Sequence, residues 1–377
     1  MQSQRIETLG ESPATEDVEL ALSAFYADVD ACDLQPLWNQ TTNLMPGTPQ
    51  PQALPWLWRG EVLQALARRA EKLVTIERGG ERRVLALANP GLGGAPYATP
   101  TLWGAIQVLG PHETAPAHRH SASAIRFVLE GEGVWTTVDG DASTMHPGDL
   151  VLTPAWTFHD HHNSGDQTML WFDGLDIPLV RALDAMFYEN HPQLSQQVAG
   201  FDLSEQRYGR AGIMSVDRPT ESPHSPLYVY RWAESDALLG TILENEGGPI
   251  ATVEFFDPRT GGVVLPTLSC RLHRIIPGGR TLPTRKAGSS VFVVFRGQGT
   301  SVIVGQRFDW TQGDMFVVPS WCAVEHEAEA PSDLFELSDA AVLQALHLFR
   351  SEKLEEHQEV VSVFDPKDRA LRTEGHA

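Results

Sequence analysis

Pro116-Ala117-His118-Arg119-His120 and, further on, Gly148-Asp149-Leu150-Val151-Leu152-Thr153-Pro154-Ala155-Trp156-Thr157-Phe158-His159-Asp160-His161-His162-Asn163 decide how this chain is read. His118 and His120 are two apart, and on a strand side chains at that spacing point to the same face. Two imidazoles on one face can grip a metal ion, and a third donor completes the site. His159 is the natural third donor, because it follows an apolar run, Leu150 to Thr153, that reads as a buried strand. Gly131 and Gly133 break an apolar run, and Gly148-Asp149 reads as a turn. Val134-Trp135-Thr136-Thr137-Val138 followed by Asp139-Gly140 is a hairpin signal. The expectation is that two short antiparallel strands separate the His pair from His159, and that a small β-barrel folds His159 back beside His118 and His120.

These residues resemble the two cupin motifs. A glycine, five residues, a proline, then a histidine and an asparagine are met by Gly148, Pro154, His159 and Asn163. The glycine usual two residues after that proline is replaced by Trp156. The glutamate that normally follows the His pair is replaced by Ala124, so a three-His site with open positions is expected. By donor type alone, imidazoles suit zinc, copper, iron and nickel, and a three-His face with a water also serves zinc hydrolases.

The chain repeats itself at long range. Gly131-Glu132-Gly133 recurs as Gly297-Gln298-Gly299, and Gly148-Asp149, Pro154 and Trp156 recur as Gly313-Asp314, Pro319 and Trp321. A helical stretch follows each copy, with Leu179, Leu183 and Met186 in the first and Val342, Leu346 and Phe349 in the second. A period this long means duplicated domains. The fold class expected is mainly β, a bicupin of two double-stranded β-helix (jelly-roll) barrels with flanking helices. Residues 1–95 read as a helical and extended segment leading into the barrel, with helical spacing from Val18 to Val29 and from Glu61 to Lys72. The metal-binding barrel spans 96–190, joining strands 191–262, a second barrel without metal ligands 263–350, and a tail 351–377. In the second copy His118, His120 and His159 fall on Thr284, Lys286 and Val324. His273 and His326 lie nearby but out of register. That barrel is expected to be structural, packing on the first or on another subunit.

The 377 residues carry 28 Lys and Arg against 49 Asp and Glu, a net charge of −21. That argues against nucleic acid and anionic membranes as partners. Three distant cysteines, Cys32, Cys270 and Cys322, offer neither a disulfide framework nor a cysteine zinc site. No apolar run approaches the ~20 residues of a membrane helix, and the first residues lack a leader's apolar core. The chain reads as cytoplasmic.

The wider sequence resembles the gentisate 1,2-dioxygenase family, which includes salicylate and 1-hydroxy-2-naphthoate dioxygenases. The resemblance is carried by Arg78-Gly79-Gly80-Glu81-Arg82-Arg83, Ala88-Asn89-Pro90-Gly91-Leu92-Gly93-Gly94, the His118 motif, Trp171-Phe172-Asp173-Gly174-Leu175-Asp176-Ile177-Pro178 and Gly313-Asp314-Met315-Phe316-Val317-Val318-Pro319-Ser320-Trp321. It implies an Fe(II) enzyme that uses O2 to break the ring bond between the carboxyl-bearing and hydroxyl-bearing carbons of a small aromatic hydroxy acid. Gentisate would give maleylpyruvate. It also suggests a homotetramer. Arg82 and Arg126 match positions that contact the substrate, and a planar guanidinium suits a carboxylate. For Arg126 the competing role is an ion pair with an acidic neighbour. His161, two beyond His159, is placed to act as acid or base for the phenol proton. Trp103 and Gln107 match pocket-lining positions. Ala105, between them, would narrow the pocket and favour gentisate over naphthoates. Asp173 could orient a ligand histidine. A salicylate or hydroxynaphthoate dioxygenase, a zinc cupin hydrolase and a non-catalytic bicupin binding protein are the alternatives.

Overall fold

Short runs of β-branched and aromatic residues, broken at Gly and Pro, form strands wherever they can bury one face. The computed structural model describes residues 15–40, 44–75, 78, 83–210, 212–217 and 222–366. Residues 1–49 form one compact unit and residues 50–377 another. In the first, helix Thr15–Ala31 carries the predicted periodic segment, and Phe25 stacks on Trp38, whose indole N–H donates to the Tyr26 hydroxyl.

The second unit holds four six-stranded sheets arranged as two barrels. One sheet of the first barrel runs, in spatial order, Val229–Tyr230, Leu150–Thr153, Ala124–Glu130, Met169–Leu175, Trp103–Leu109 and Val84–Ala86. The facing sheet runs Tyr188–Asn190, Thr114–His120, His159–Asn163, Val134–Val138, Asp141–Thr144 and Gly200–Phe201. The second barrel repeats the pattern with Trp56–Trp58, Met315–Val318, Ser290–Arg296, Ser332–Ser338, Ser269–Ile275 and Ile250–Glu254. Its other sheet runs Ser351–Lys353, Thr284–Lys286, Val324–Ala328, Gln298–Ile303, Gln306–Thr311 and Ser362–Val363. Four strands, not two, separate the His pair from His159, because Ala124–Glu130 and Leu150–Thr153 belong to the opposite sheet.

Alternation sets which side chains go where. On Ala124–Glu130, Ile125 and Phe127 point outward into a core shared by both barrels, where Phe127 stacks on Phe335 with ring centroids 4.2 Å apart. Arg126, between them, therefore points into the first barrel. The second barrel packs against the first through this core, which meets one of the two expectations for it.

The Gly-Asp turns do more than lead into a strand. Gly148 and Gly313 take φ of +87° and +88°, and a Cβ at Gly148 would sit 2.7 Å from the Trp232 ring. The Asp149 carboxylate accepts from Trp232 N–H and from Arg231, at the start of helix Trp232–Glu246. Asp314 likewise accepts from Gly60 N–H and Arg59, at the start of helix Gly60–Leu73. Each carboxylate meets the positive end of a helix. The strand before each helix crosses over. Trp56–Trp58 joins the second barrel and Val229–Tyr230 the first. Trp156 and Trp321 both take φ +62°, which explains why glycine is usual there. Each indole lies under an arginine, Arg119 and Arg285 respectively.

The repeat holds residue for residue inside the barrels. Thr284 pairs with Val324 as His118 pairs with His159. Where the first barrel has His120, the second has Lys286, ion-paired with buried Glu336. Glu336 also accepts from Ser290 Oγ at 2.6 Å and lies 2.9 Å from His273 Nε2. His326 is bonded to Ser301 Oγ at 2.7 Å. Burial alone would raise the Glu336 pKa, but the charges and hydrogen bonds of Lys286 and His273 outweigh it and hold the carboxyl well below the usual range.

Removing the cation leaves a buried carboxylate short of its main partner. Lys286→Met is expected to cost roughly 3–5 kcal/mol, read as a lower urea midpoint. Because the folded-state value is depressed, Glu336 adds stability above its unfolded value of about 4.3, and that contribution is lost as pH falls through the depressed folded value. Acid titration of the urea midpoint checks this, and the wild-type slope should flatten in Lys286→Met.

Candidate metal centre

His118 and His120 lie on one face of Thr114–His120, and His159 opens the neighbouring strand directly opposite His118. One ring nitrogen from each histidine lies within 4.8 Å of the other two. The remaining nitrogens decide which atoms face inward. His118 Nδ1 is 2.8 Å from the Pro116 carbonyl, His120 Nδ1 2.7 Å from that of Ala122, and His159 Nδ1 3.1 Å from that of Thr157. A carbonyl only accepts, so each Nδ1 carries the proton and each Nε2 offers a lone pair. His159 Nε2 is buried and makes no hydrogen bond. Burial first, then the charge of Arg126 and the neighbouring rings, holds His159 well below the usual histidine range. A neutral ring with an unsatisfied inward nitrogen is what a metal ligand requires, so the donor set fits a metal ion.

The histidines line a cavity of about 340 Å³, together with Trp103, Gln107, Arg126, His161 and Asp173. That is the small end of the range for ligand pockets. Arg126 is buried, and its Nη1 donates to Thr153 Oγ1. Its Nε stands 3.5 Å from Asp173 Oδ1 and makes no hydrogen bond. The competing role for Arg126 is therefore present: the two residues are paired across the sheet. Burial lowers the pKa of Arg126 and raises that of Asp173 to about 6, each opposed by the other's charge. Arginine keeps its proton throughout, so the cavity holds a buried cation within a strongly acidic chain.

Asp173 does not orient a ligand histidine. Its Oδ1 accepts from Trp171 Nε1 at 3.0 Å, and the three ligand Nδ1 atoms are held by backbone carbonyls instead. His161 shares a 2.8 Å hydrogen bond with Thr136 Oγ1, and burial keeps its pKa well below the usual range. Ala105 is fully covered opposite Asp173 and does not line the cavity, whose wall on that strand is made by Trp103 and Gln107. Arg82 lies outside the described residues. Its neighbour Arg83 is buried away from the cavity, paired with Glu113 and donating to the carbonyls of Glu71 and Val74.

Tyr188 and Arg181 are among the cavity residues that escaped the sequence reading. Tyr188 stacks on His118 with centroids 5.5 Å apart, from a three-residue strand that pairs with the ligand strand. Arg181 comes from helix Ile177–Ala182, which ends before Leu183 and Met186. Such a short strand has no readable period, and a lone arginine among apolar helix residues is a weak signal. After the helix ends, Met186 turns to the cavity wall.

Residues 105–177 match the family model described as a cupin domain. The chain is 48% identical to a gentisate 1,2-dioxygenase of Streptomyces sp over 88% of this chain and 95% of that protein. It is 34% identical to a 5-aminosalicylate 1,2-dioxygenase of Comamonas sp over 95% and 98%. Among solved structures, salicylate 1,2-dioxygenase from Pseudoaminobacter salicylatoxidans, studied as adducts with gentisate, superimposes with a TM-score of 0.85 at 42% identity, covering 93% of this chain and 97% of that one. Both barrels fall within that match, so the fold is a bicupin. Likeness at this level over nearly the whole of each chain places this protein in the gentisate 1,2-dioxygenase family, as a ring-cleaving dioxygenase.

Proposed function

We propose that His118, His120 and His159 hold Fe(II) and that the chain cleaves gentisate (2,5-dihydroxybenzoate) with O2 to maleylpyruvate. The observation that carries this is the orphaned inward nitrogen of His159 within a three-imidazole face, beside a buried arginine. Bound Fe(II) supplies the redox link between an aromatic ring and O2 that redox-inert zinc lacks.

The other residues act on the substrate. Arg126 attracts the ring carboxylate into a chain whose overall charge repels it, and its fork fixes the orientation of the acid. Trp103 and Gln107 form the wall against the ring. His161, held in place by Thr136, takes up or returns the proton of the phenol. Met186 and Tyr188 supply apolar surface that keeps water from the ring. Cavity size supports a single-ring acid, which about 340 Å³ accommodates. The Streptomyces relative carries the name of the same activity.

Each ligand replacement, His118→Ala, His120→Ala or His159→Ala, is expected to abolish iron retention and turnover. Wild type should bind one iron per chain by metal analysis, and a value near two would contradict the reading. Arg126→Gln is expected to keep its iron while kcat/KM falls roughly tenfold to a hundredfold, the loss of a charge-assisted pair of about 1.5–3 kcal/mol. In steady-state assays of the Fe(II)-loaded protein, gentisate should give the highest kcat/KM among gentisate, salicylate and 1-hydroxy-2-naphthoate. A higher value for either of the others would reassign the substrate within the same chemistry.

A further inference from the structure

The carbonyls that receive the three ligand N–H groups belong to peptide units whose own N–H groups have partners. The Ala122 carbonyl, which accepts from His120, shares its peptide with Ser123 N–H, and that N–H donates to Asp176 Oδ1 at 2.8 Å. The Thr157 carbonyl, which accepts from His159, shares its peptide with Phe158 N–H, which donates to Asp139 Oδ1 at 2.9 Å. The Pro116 carbonyl, which accepts from His118, is backed only by a neutral partner: Ala117 N–H donates to the Leu194 carbonyl. Two of the three ligands therefore have a carboxylate one peptide away.

A carboxylate on a peptide N–H pulls the hydrogen outward and pushes charge onto the carbonyl oxygen. Hydrogen bonds in such a chain strengthen one another, the more so at low dielectric. The carbonyl then pulls harder on the imidazole N–H, and Nε2 becomes a stronger donor, as when a carboxylate bonds a ligand histidine directly. We propose that Asp176 and Asp139 are positioning residues that set the donor strength of His120 and His159 through the Ala122–Ser123 and Thr157–Phe158 peptides. Asp176 is the stronger of the two, being buried while Asp139 sits exposed at a hairpin tip.

Asp176 also ties the metal-free barrel to the metal centre. Its Oδ2 accepts from Thr267 Oγ1, just ahead of the second barrel's strand Ser269–Ile275. The duplication supplies an internal control. Asp339 occupies the same place in the second barrel, accepting from Ser289 N–H at 2.8 Å and, across the barrels, from Thr101 Oγ1 at 2.5 Å. The peptide behind it is Gly288–Ser289, and no ligand histidine leans on it. Asp176 and Asp339 thus share a structural duty, and only Asp176 has a ligand behind its peptide.

The inference rests on the metal-centre reading above, and one experiment separates the two. Fe(II) affinity of the full chain is measured by chelator competition for wild type, Asp176→Asn, Asp139→Asn and Asp339→Asn. The work is done at about pH 8, above the value of about 6 to which burial raises Asp176. Asparagine keeps the shape and an acceptor and removes the charge. Asp176→Asn is expected to weaken Fe(II) about tenfold, the lower end for groups behind a metal ligand, and to shift the visible band of the Co(II)-loaded protein. Asp139→Asn should give a smaller loss in the same direction. Asp339→Asn should lower Tm as Asp176→Asn does, yet keep wild-type affinity and the wild-type Co(II) band. Wild-type affinity in Asp176→Asn, or equal losses in Asp176→Asn and Asp339→Asn, would overturn the proposal. Should Asp176→Asn fail to fold, Asp139→Asn decides, and unchanged affinity and spectrum there would overturn it. Failure of wild type to bind Fe(II) would overturn the metal-centre reading and this inference with it.

Discussion

Three hydrogen bonds from imidazole Nδ1 to backbone carbonyls are the constraint on which the three-histidine site depends. Each runs to a carbonyl two residues away in the chain, so the backbone that carries a histidine also sets its tautomer. No separate side chain is needed to orient the rings, which frees Asp173 to face Arg126. It also means that anything bending the Pro116, Ala122 or Thr157 peptides bends the centre. Those peptides are pinned by Leu194, Asp176 and Asp139, on segments far from the ligands in sequence.

The second constraint is charge. For the proposed reaction, a chain of net charge −21 needs a local cation the solvent cannot screen to take an anionic substrate. Arg126 is the buried cation at the cavity because the strand Ala124–Glu130 places it on the inner face while its neighbours Ile125 and Phe127 form the core between barrels. Asp173 compensates its burial only in part. At 3.5 Å, the pair leaves the arginine Nε without a hydrogen bond. A fully satisfied ion pair there would have less to offer a carboxylate.

Duplication explains the rest of the architecture. Both barrels keep the Gly-Asp turn that docks a helix, the left-handed tryptophan under an arginine, and the aspartate that follows the last strand. They differ at the centre, where Lys286 and Glu336 hold the second barrel with an internal ion pair. The crossed strands Trp56–Trp58 and Val229–Tyr230, and the reciprocal bonds from Thr101 to Asp339 and Thr267 to Asp176, bind the two barrels together. The second barrel therefore supports the first.

The sequence alone determined what local rules and repetition can carry. A spacing of two put His118 and His120 on one face, glycine and proline marked the turns, and the offset of the second copy placed Thr284 opposite Val324, where the strands do pair. The family resemblance located Trp103, Gln107 and Arg126 at the cavity, and the two-residue spacing from His159 located His161 there. Only the tertiary structure decided what depends on partners distant in the chain. It turned Asp173 from the histidines to Arg126 and Trp171, covered Ala105, and brought Tyr188 against His118. It also showed that Gly-Asp turns dock helices, and that Asp176 stands behind the peptide on which His120 leans. Spacing along a strand is a property of the backbone and is readable locally. Which polar group meets a buried donor depends on how two sheets close over each other, and no local pattern records that.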